Sequence, residues 1–168
     1  IGLADADSVL ALASDEQVRG LLDSDSWDRD ELKMERLDPW LSALMRCGPD
    51  VLGKKLLSLD DSLLTEILKS SIEVLVIEDP ENFDAPDVEH VRTPDGALCV
   101  CFPESDTRDL PIKIFLDWLM RTDTAHCINL LVFSASALPS NLREDAYRWR
   151  QARMADRGYV DYYDALKI

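Results

Sequence analysis

The segment from Asp109 to Thr122 constrains the fold most, because it is apolar on nearly every side. Its apolar residues are Ile112, Ile114, Phe115, Leu116, Trp118, Leu119 and Met120. A surface helix carries a single apolar stripe, whereas a helix that is apolar all round lies in the interior. We therefore expect a buried core helix here, surrounded by the rest of the chain.

Two short helices and a turn are predicted at the start of the chain. Residues 1–13 have the pattern of the end of a helix. Ser14 and Gln17 form a capping box, which typically marks the first residue of the next helix. The polar segment DSDSWDRDEL that follows is predicted to be a turn held in place by Trp27.

Three further helices are predicted before residue 78. One is predicted within Lys33–Arg46. Either its first residue is Pro39, or the helix covers the whole segment and is kinked at that proline. Another covers Pro49–Leu57, and the last begins at Asp60 or Asp61. The apolar spacing of this last helix continues into IEVLVI through Leu68, Ile72 and Leu75. We therefore predict that the helix continues through IEVLVI, although its β-branched residues would also suit a strand.

A β-hairpin is predicted for VEHVRTPDGALCVCF, the only segment of the chain with a clear strand–turn–strand pattern. Pro-Asp-Gly is typical of a type I turn. This turn favours a three-residue loop with a bulge at Gly96. A two-residue loop would instead set His90 opposite Cys101 and Arg92 opposite Cys99.

Two helices are predicted after the core helix. Asp123 caps the first, and Pro139 lies in the first turn of the second. The apolar face of the second helix consists of Leu142, Ala146, Trp149 and Ala152. We expect Trp149 to pack against the core helix and Gly158 to end the second helix. Asp161 would cap a further short helix, which ends at Ile168; we expect the natural chain to continue beyond it.

Arginines surround Trp149 on this helix, and two interpretations remain open. Arg148, Trp149, Arg150 and Arg153 form a possible binding surface, because guanidinium groups suit phosphates and other anions. Alternatively, these arginines and Arg143 form ion pairs with carboxylates of the same helix or of its neighbours.

The segment AYRWRQARMADRGYVDYYDALKI resembles the C-terminal part of a bacterial family that carries a domain-of-unknown-function label. The family pattern is A-Y-R-W-R-x-x-R-x-A-D-x-G-[FY]-x-D-Y-x-x-A-L, and Ala146 to Arg150, Arg153, Asp156 and Gly158 are among the matching residues. LLDSDSWDRDEL and DPWLSALMRCG resemble earlier segments of the same family. The resemblance implies no activity, cofactor or catalytic residue.

A weak internal repeat relates VRGLLDSDS to GKKLLSLDDS. Repeats of this size indicate stacked helical pairs. The pattern over residues 9–75 is similar to the N-terminal domain of MgtE-type magnesium transporters and to the flagellar switch protein FliG.

The chain is strongly acidic, with 33 acidic and 18 basic residues and a net charge of −15. Such a field repels nucleic acid and anionic lipid and attracts basic proteins or divalent cations. The sequence contains no apolar run long enough to span a membrane. We therefore expect a cytoplasmic protein that binds a protein partner and no nucleic acid.

Cysteine and histidine residues do not follow the spacing of a metal site. Cys99 and Cys101 are separated by one residue, and the other nearby candidates are His90, His126 and Cys127. Structural zinc sites separate paired cysteines by two or more residues. We therefore predict four reduced cysteines, no metal, no cofactor and no catalytic residue.

We therefore predict a mainly α fold, that is, an α+β fold with one β-hairpin. Residues 1–77 would form a helical array of stacked hairpins, 78–87 an acidic linker, and 88–168 the hairpin and a second group of helices; the two parts may pack as one domain. The expected function is a non-enzymatic interaction or scaffold module. The alternatives are a regulatory domain that responds to divalent cations and a non-catalytic part of a larger enzyme.

Overall fold

A computed structural model describes residues 6–103, 109–137, 139–159 and 166, and shows a mainly helical protein with two small antiparallel sheets. The helices are α1 (Ala6–Leu12), α2 (Asp15–Asp25), α3 (Met34–Arg46), α4 (Pro49–Leu57), α5 (Asp61–Ser71), α6 (Leu110–Thr122), α7 (Thr124–Ser136) and α8 (Pro139–Asp156). The strands are β1 (Trp27–Asp28), β2 (Glu31–Leu32), β3 (Glu73–Val76), β4 (Glu89–Arg92) and β5 (Leu98–Phe102). The predicted fold class is confirmed.

The predicted core helix is α6, and it is buried as expected. Ile112, Phe115 and Leu119 have no exposed surface. α6 packs against α3, α4 and α7, and α7 in turn packs against α5 and β3. One continuous cluster of buried side chains extends from Leu10 to Ala146.

The local signals at the starts of helices are confirmed. Ser14 accepts a hydrogen bond from the Gln17 amide, and the Gln17 side chain accepts one from the Ser14 amide. Asp60 and Asp123 cap α5 and α7 in the same way, through their side-chain oxygens. α3 begins at Met34 and runs through Pro39, so no helix begins at that proline.

The segment DSDSWDRDEL contains a two-stranded hairpin within the predicted turn. Trp27 pairs with Leu32 and Asp28 with Glu31. Trp27 is buried, as expected of a residue that holds the segment in place.

The prediction that α5 continues through IEVLVI is wrong. The helix ends at Ser71, Ile72 is extended, and Glu73–Val76 forms β3, which pairs with β5. The order of the sheet is β3-β5-β4, and all five residues of β5 are buried. A buried central strand needs hydrogen-bond partners on both edges, and β3 supplies the second. The predicted linker 78–87 therefore connects two strands of one sheet.

The favoured three-residue hairpin loop is also wrong. His90 lies opposite Cys101 and Arg92 opposite Cys99, which is the alternative register, but the loop has four residues, 94–97. A β-turn is present at the predicted Pro-Asp-Gly, because the Gly96 amide donates to the Thr93 carbonyl. The Thr93 hydroxyl accepts from the Leu98 amide and the Asp95 carboxylate from the Ala97 amide, so these side chains stabilise the longer loop.

The last described helix, α8, is followed by Gly158 with a φ of +85°, which confirms the predicted helix end. The helix predicted after Asp161 lies outside the described residues. Among the helices of the described ranges, none has both the length and the apolar content needed to cross a membrane.

Gly53 permits the close contact between α4 and α6. A Cβ atom at this position would lie 2.2 Å from Cε3 of Trp118, whose Nε1 donates to Asp50 at 2.7 Å. We expect Gly53→Ala to lower the free energy of unfolding by about 1–3 kcal/mol, as overpacking does, despite the better helix propensity of alanine. Urea denaturation measures this change. Lys54→Ala on the same helix is the control, and an equal effect of the two substitutions would contradict the prediction.

Candidate functional site

The predicted apolar face of α8 is correct for its first half only. Leu142 and Ala146 are buried, but Trp149 is 57% exposed and Ala152 is exposed as well. The prediction that Trp149 belongs to the core is therefore wrong. Beyond Ala146 the packed face is continued by arginines, namely Arg150, Arg153 and Arg157. Residues three or four positions apart can both share a helix face. The prediction placed Trp149, three residues after Ala146, on the packed face, whereas in the structure Arg150, four residues after Ala146, lies there.

Arg153 attaches α8 to α2 and to the start of α5. Its Nε and Nη2 donate to the two carboxylate oxygens of Asp23 at 2.6 and 2.7 Å, and its Nη1 donates to Asp60 at 3.0 Å. Asp23 is fully buried. Burial lowers the pKa of Arg153, but its hydrogen bond to Asp23 and the nearby charges outweigh this effect and raise that pKa overall. The guanidinium therefore stays charged, and its role is structural.

Arg150 attaches α8 to the β1–β2 hairpin. Its guanidinium lies 5.4 Å from the centre of the Trp27 ring, and its Nε donates to the Asp23 carbonyl at 2.8 Å. A second hydrogen bond reaches the carbonyl of Arg29, a residue with positive φ in the turn. Tyr147 also contacts Trp27, with the centres of the two rings 6.3 Å apart.

The four residues predicted as a binding surface are therefore divided between two sides of α8. Arg150 and Arg153 contact α2, α5 and the hairpin, and Trp149 faces solvent. Arg148 is exposed and pairs with Glu144 at 3.1 Å within the helix. Of these four residues, Arg148 and Trp149 are the accessible ones.

A further ion pair joins α8 to α5. Nε of Arg143 lies 3.3 Å from Oε1 of Glu66, while the other oxygen of this buried carboxylate has no hydrogen-bond partner among the described residues. Burial raises the pKa of Glu66, and Arg143 only partly offsets this effect.

Three of the four cysteines, Cys99, Cys101 and Cys127, are buried and have the properties of structural thiols. Sγ of Cys99 lies 3.8 Å from Sγ of Cys101, and Phe83 packs against this pair. Burial raises the pKa of Cys101 and that of Cys127 to about 11. At neutral pH these two thiols are therefore protonated, the form that neither attacks electrophiles nor binds metals. The described residues contain no group of three His, Cys, Asp or Glu side chains arranged to hold a metal.

Sequence reasoning missed a groove between the sheet and the core helices. It has a volume of about 440 Å³ and lies between β4 and β5 on one side and α6 and α7 on the other. Its apolar wall consists of Val91, Val100, Phe102, Leu116, Met120 and Leu131. Nζ of Lys113 crosses the groove to bind Glu89 at 2.7 Å and lies 5.1 Å from the centre of the Phe102 ring. Local sequence carries no signal for this groove, because its walls are separate segments.

The groove lies beside an edge strand. β4 pairs with β5 alone among the described strands, and all four of its residues are exposed. The Thr93 amide donates to the Leu98 carbonyl. In an antiparallel pair every second residue bonds to the partner strand, so Val91, two residues before Thr93, also directs its backbone groups toward β5. His90 and Arg92 consequently direct their N–H and C=O groups outward, where another strand could bind them.

The fold and the groove define this chain as a helical α+β protein with an apolar cleft beside β4, an edge strand of the described sheet. Residues 1–168 match a family of unknown function, DUF6178, and the chain belongs to that family. The predicted resemblance to a domain-of-unknown-function family is thereby confirmed, whereas the similarity to MgtE and FliG stays a prediction. Neither a curated protein nor a solved structure matches the chain.

Substitutions on the packed side of α8 should lower the free energy of unfolding, and those on its exposed side should not. Arg153→Met would leave the Asp23 carboxylate buried without its partner, which costs about 3–5 kcal/mol of unfolding free energy. Trp149→Ala should change that energy by no more than about 0.5 kcal/mol, since the ring is mostly exposed. Chemical denaturation of both variants tests this expectation. Equal losses from the two substitutions would show that the ring of Trp149 is packed.

The raised pKa of Glu66 predicts the direction in which stability changes with pH. The Glu66 carboxyl binds its proton more tightly in the folded state than in the unfolded state, where its pKa is near 4.5. The contribution of Glu66 to stability is therefore fully present below pH 4.5 and is lost as pH rises through the raised pKa. Glu66→Gln should flatten that part of the curve of unfolding free energy against pH. Glu35→Gln, an exposed position, is the control, and an unchanged curve for Glu66→Gln would refute the assignment.

Proposed function

We propose that this protein is a non-enzymatic interaction module that binds a protein partner at the groove between β4, α6 and α7. One observation carries the proposal: an apolar cleft lies beside a strand edge that pairs with no other described strand. Proteins that bind extended peptides use this combination, because main-chain hydrogen bonds supply affinity and a neighbouring apolar pocket selects side chains.

The charges around the groove favour a macromolecular partner over a small anionic or cationic ligand. Glu89 is paired with Lys113, and Asp117 with Arg121 at 2.8 Å. Both of these charges are therefore neutralised locally, and Arg92, which also lines the groove, has its guanidinium over the Phe83 ring at 5.2 Å. The wall between these pairs is apolar, and Val91 at its margin is 59% exposed. Apolar surface with a polar rim is typical of a protein-binding site.

The acidity of the chain would also suit the alternative, a regulatory domain that senses divalent cations. Three acidic residues of the predicted turns, however, are bound by other side chains. Asp23 and Asp60 bind Arg153, and Asp25 accepts a hydrogen bond from the Trp40 ring nitrogen. A cation would have to displace these groups, and we therefore place the interaction module first.

A pair of matched substitutions tests the groove. Val91→Glu would place a carboxylate at its margin, and binding of an apolar partner group there should weaken by about tenfold or more. Val76→Glu is the control, because Val76 lies on the opposite edge strand and is 61% exposed against 59% for Val91. Quantitative affinity capture from the native host, with each variant as bait, measures partner recovery.

The expected result is at least one protein whose recovery falls with Val91→Glu and not with Val76→Glu. Thermal denaturation must show that both variants remain folded. Identical recovery of every captured protein with the two variants would exclude the groove as the binding surface.

A further inference from the structure

We propose that the groove binds an extended segment that adds to β4 as a fourth strand and in which apolar and basic residues alternate. This inference rests on the proposed function and specifies the chemistry of the partner. It follows from the different surroundings of the two faces of β4, because successive side chains of any added strand point to opposite faces.

The first face of the sheet lies toward the groove. Residues opposite each other in a pair share a face, so Val91 lies beside Val100, and Glu89 beside Phe102. These four residues all line the groove. A residue of an added strand opposite Val91 would direct its side chain into the space between β4 and α6, beside Leu116 and Met120. This position favours an apolar side chain.

The second face of the sheet lies toward the loop 78–87. Arg92 is on this face, with its guanidinium 5.2 Å from the centre of the Phe83 ring, and Phe83 packs on Cys99 and Cys101. The five acidic residues of the loop are all exposed; they are Glu78, Asp79, Glu81, Asp84 and Asp87. Residues 78–103 contain seven acidic residues and a single basic one, Arg92. The β4 residues on this face are His90 and Arg92, and the guanidinium of Arg92 lies over the Phe83 ring. The five exposed carboxylates of the loop therefore outnumber the one fixed positive charge on this face and favour lysine or arginine in an added strand.

The net charge of the whole chain also favours a basic segment. A net charge of −15 attracts a basic segment over a distance and increases its rate of association at moderate ionic strength. The main-chain groups of His90 and Arg92 would then fix the segment in register. Because the two faces differ, the order of residues in the segment matters as well as its composition.

Three labelled peptides test this inference on the full chain at about 0.15 M salt. In the first, lysine and valine alternate; in the second, the same residues form two blocks; in the third, glutamate replaces lysine in the alternating pattern. We expect the alternating lysine peptide to bind at least about tenfold more tightly than the block peptide, since only it satisfies both faces and the edge. Fluorescence anisotropy measures the three affinities.

Two substitutions at one position test strand addition itself. The N–H of His90 points away from β5, so His90→Pro removes an outward donor while the pairing of β4 with β5 is kept. His90→Ala keeps that donor. We expect His90→Pro to weaken binding of the alternating lysine peptide by about tenfold and His90→Ala to leave it within about twofold. Slower amide hydrogen exchange at His90 and Arg92 in the complex would locate the contact.

Each other outcome contradicts the inference in a different way. Equal binding of the alternating and block peptides would reduce the effect to general attraction between opposite charges. Tighter binding of the glutamate peptide would refute the basic character of the partner. A dimer in sedimentation equilibrium that His90→Pro dissociates would assign the edge to a second copy of the chain. If the lysine peptide does not bind but Val91→Glu still abolishes recovery of a native partner, the proposed function stands and the inference fails.

Discussion

Burial of α6 on every side is the constraint on which the rest of the structure depends. Ile112, Phe115 and Leu119 are fully buried, and α3, α4 and α7 enclose the helix that carries them. α4 can approach closely enough only because Gly53 leaves room for the ring of Trp118. α7 covers α6 and also contacts α5 and β3, so it joins the core helix to the sheet. The groove opens where this cover ends, beside β4.

The last described helix, α8, is held to its neighbours by arginines as well as by apolar packing. Arg143, Arg150 and Arg153 contact α5, the β1–β2 hairpin and α2, respectively, and Asp23 is buried beneath them. Buried ion pairs often add little net stability compared with apolar packing, yet removal of one partner is costly. A displacement of α8 by one turn would leave Asp23 without Arg153. The pair therefore fixes the position of the helix along its neighbours.

Sequence reasoning was accurate where the deciding interactions lie within a few residues. The capping box at Ser14 and the caps at Asp60 and Asp123 depend on contacts three residues away, and all three are present. It was wrong where distant segments decide. IEVLVI keeps a helical spacing, but pairing with β5 makes it a strand. Trp149 and Arg150 both continue the α8 pattern, and Asp23, far away in the sequence, selects Arg150. The groove requires β4 and α6 together, so no local pattern predicts it.

The strand order β3-β5-β4 imposes a sequence of events during synthesis of the chain. β3 and β4 both precede β5 in the sequence, and neither pairs with the other. Until Leu98–Phe102 has emerged from the ribosome, both strands lack their hydrogen-bond partner, although α1 to α5 are already outside. The acidic segment 78–87 lies between these two strands in the sequence. Its negative charge is therefore next to both strands while they are unpaired, and it opposes their association with the same strands of neighbouring nascent chains.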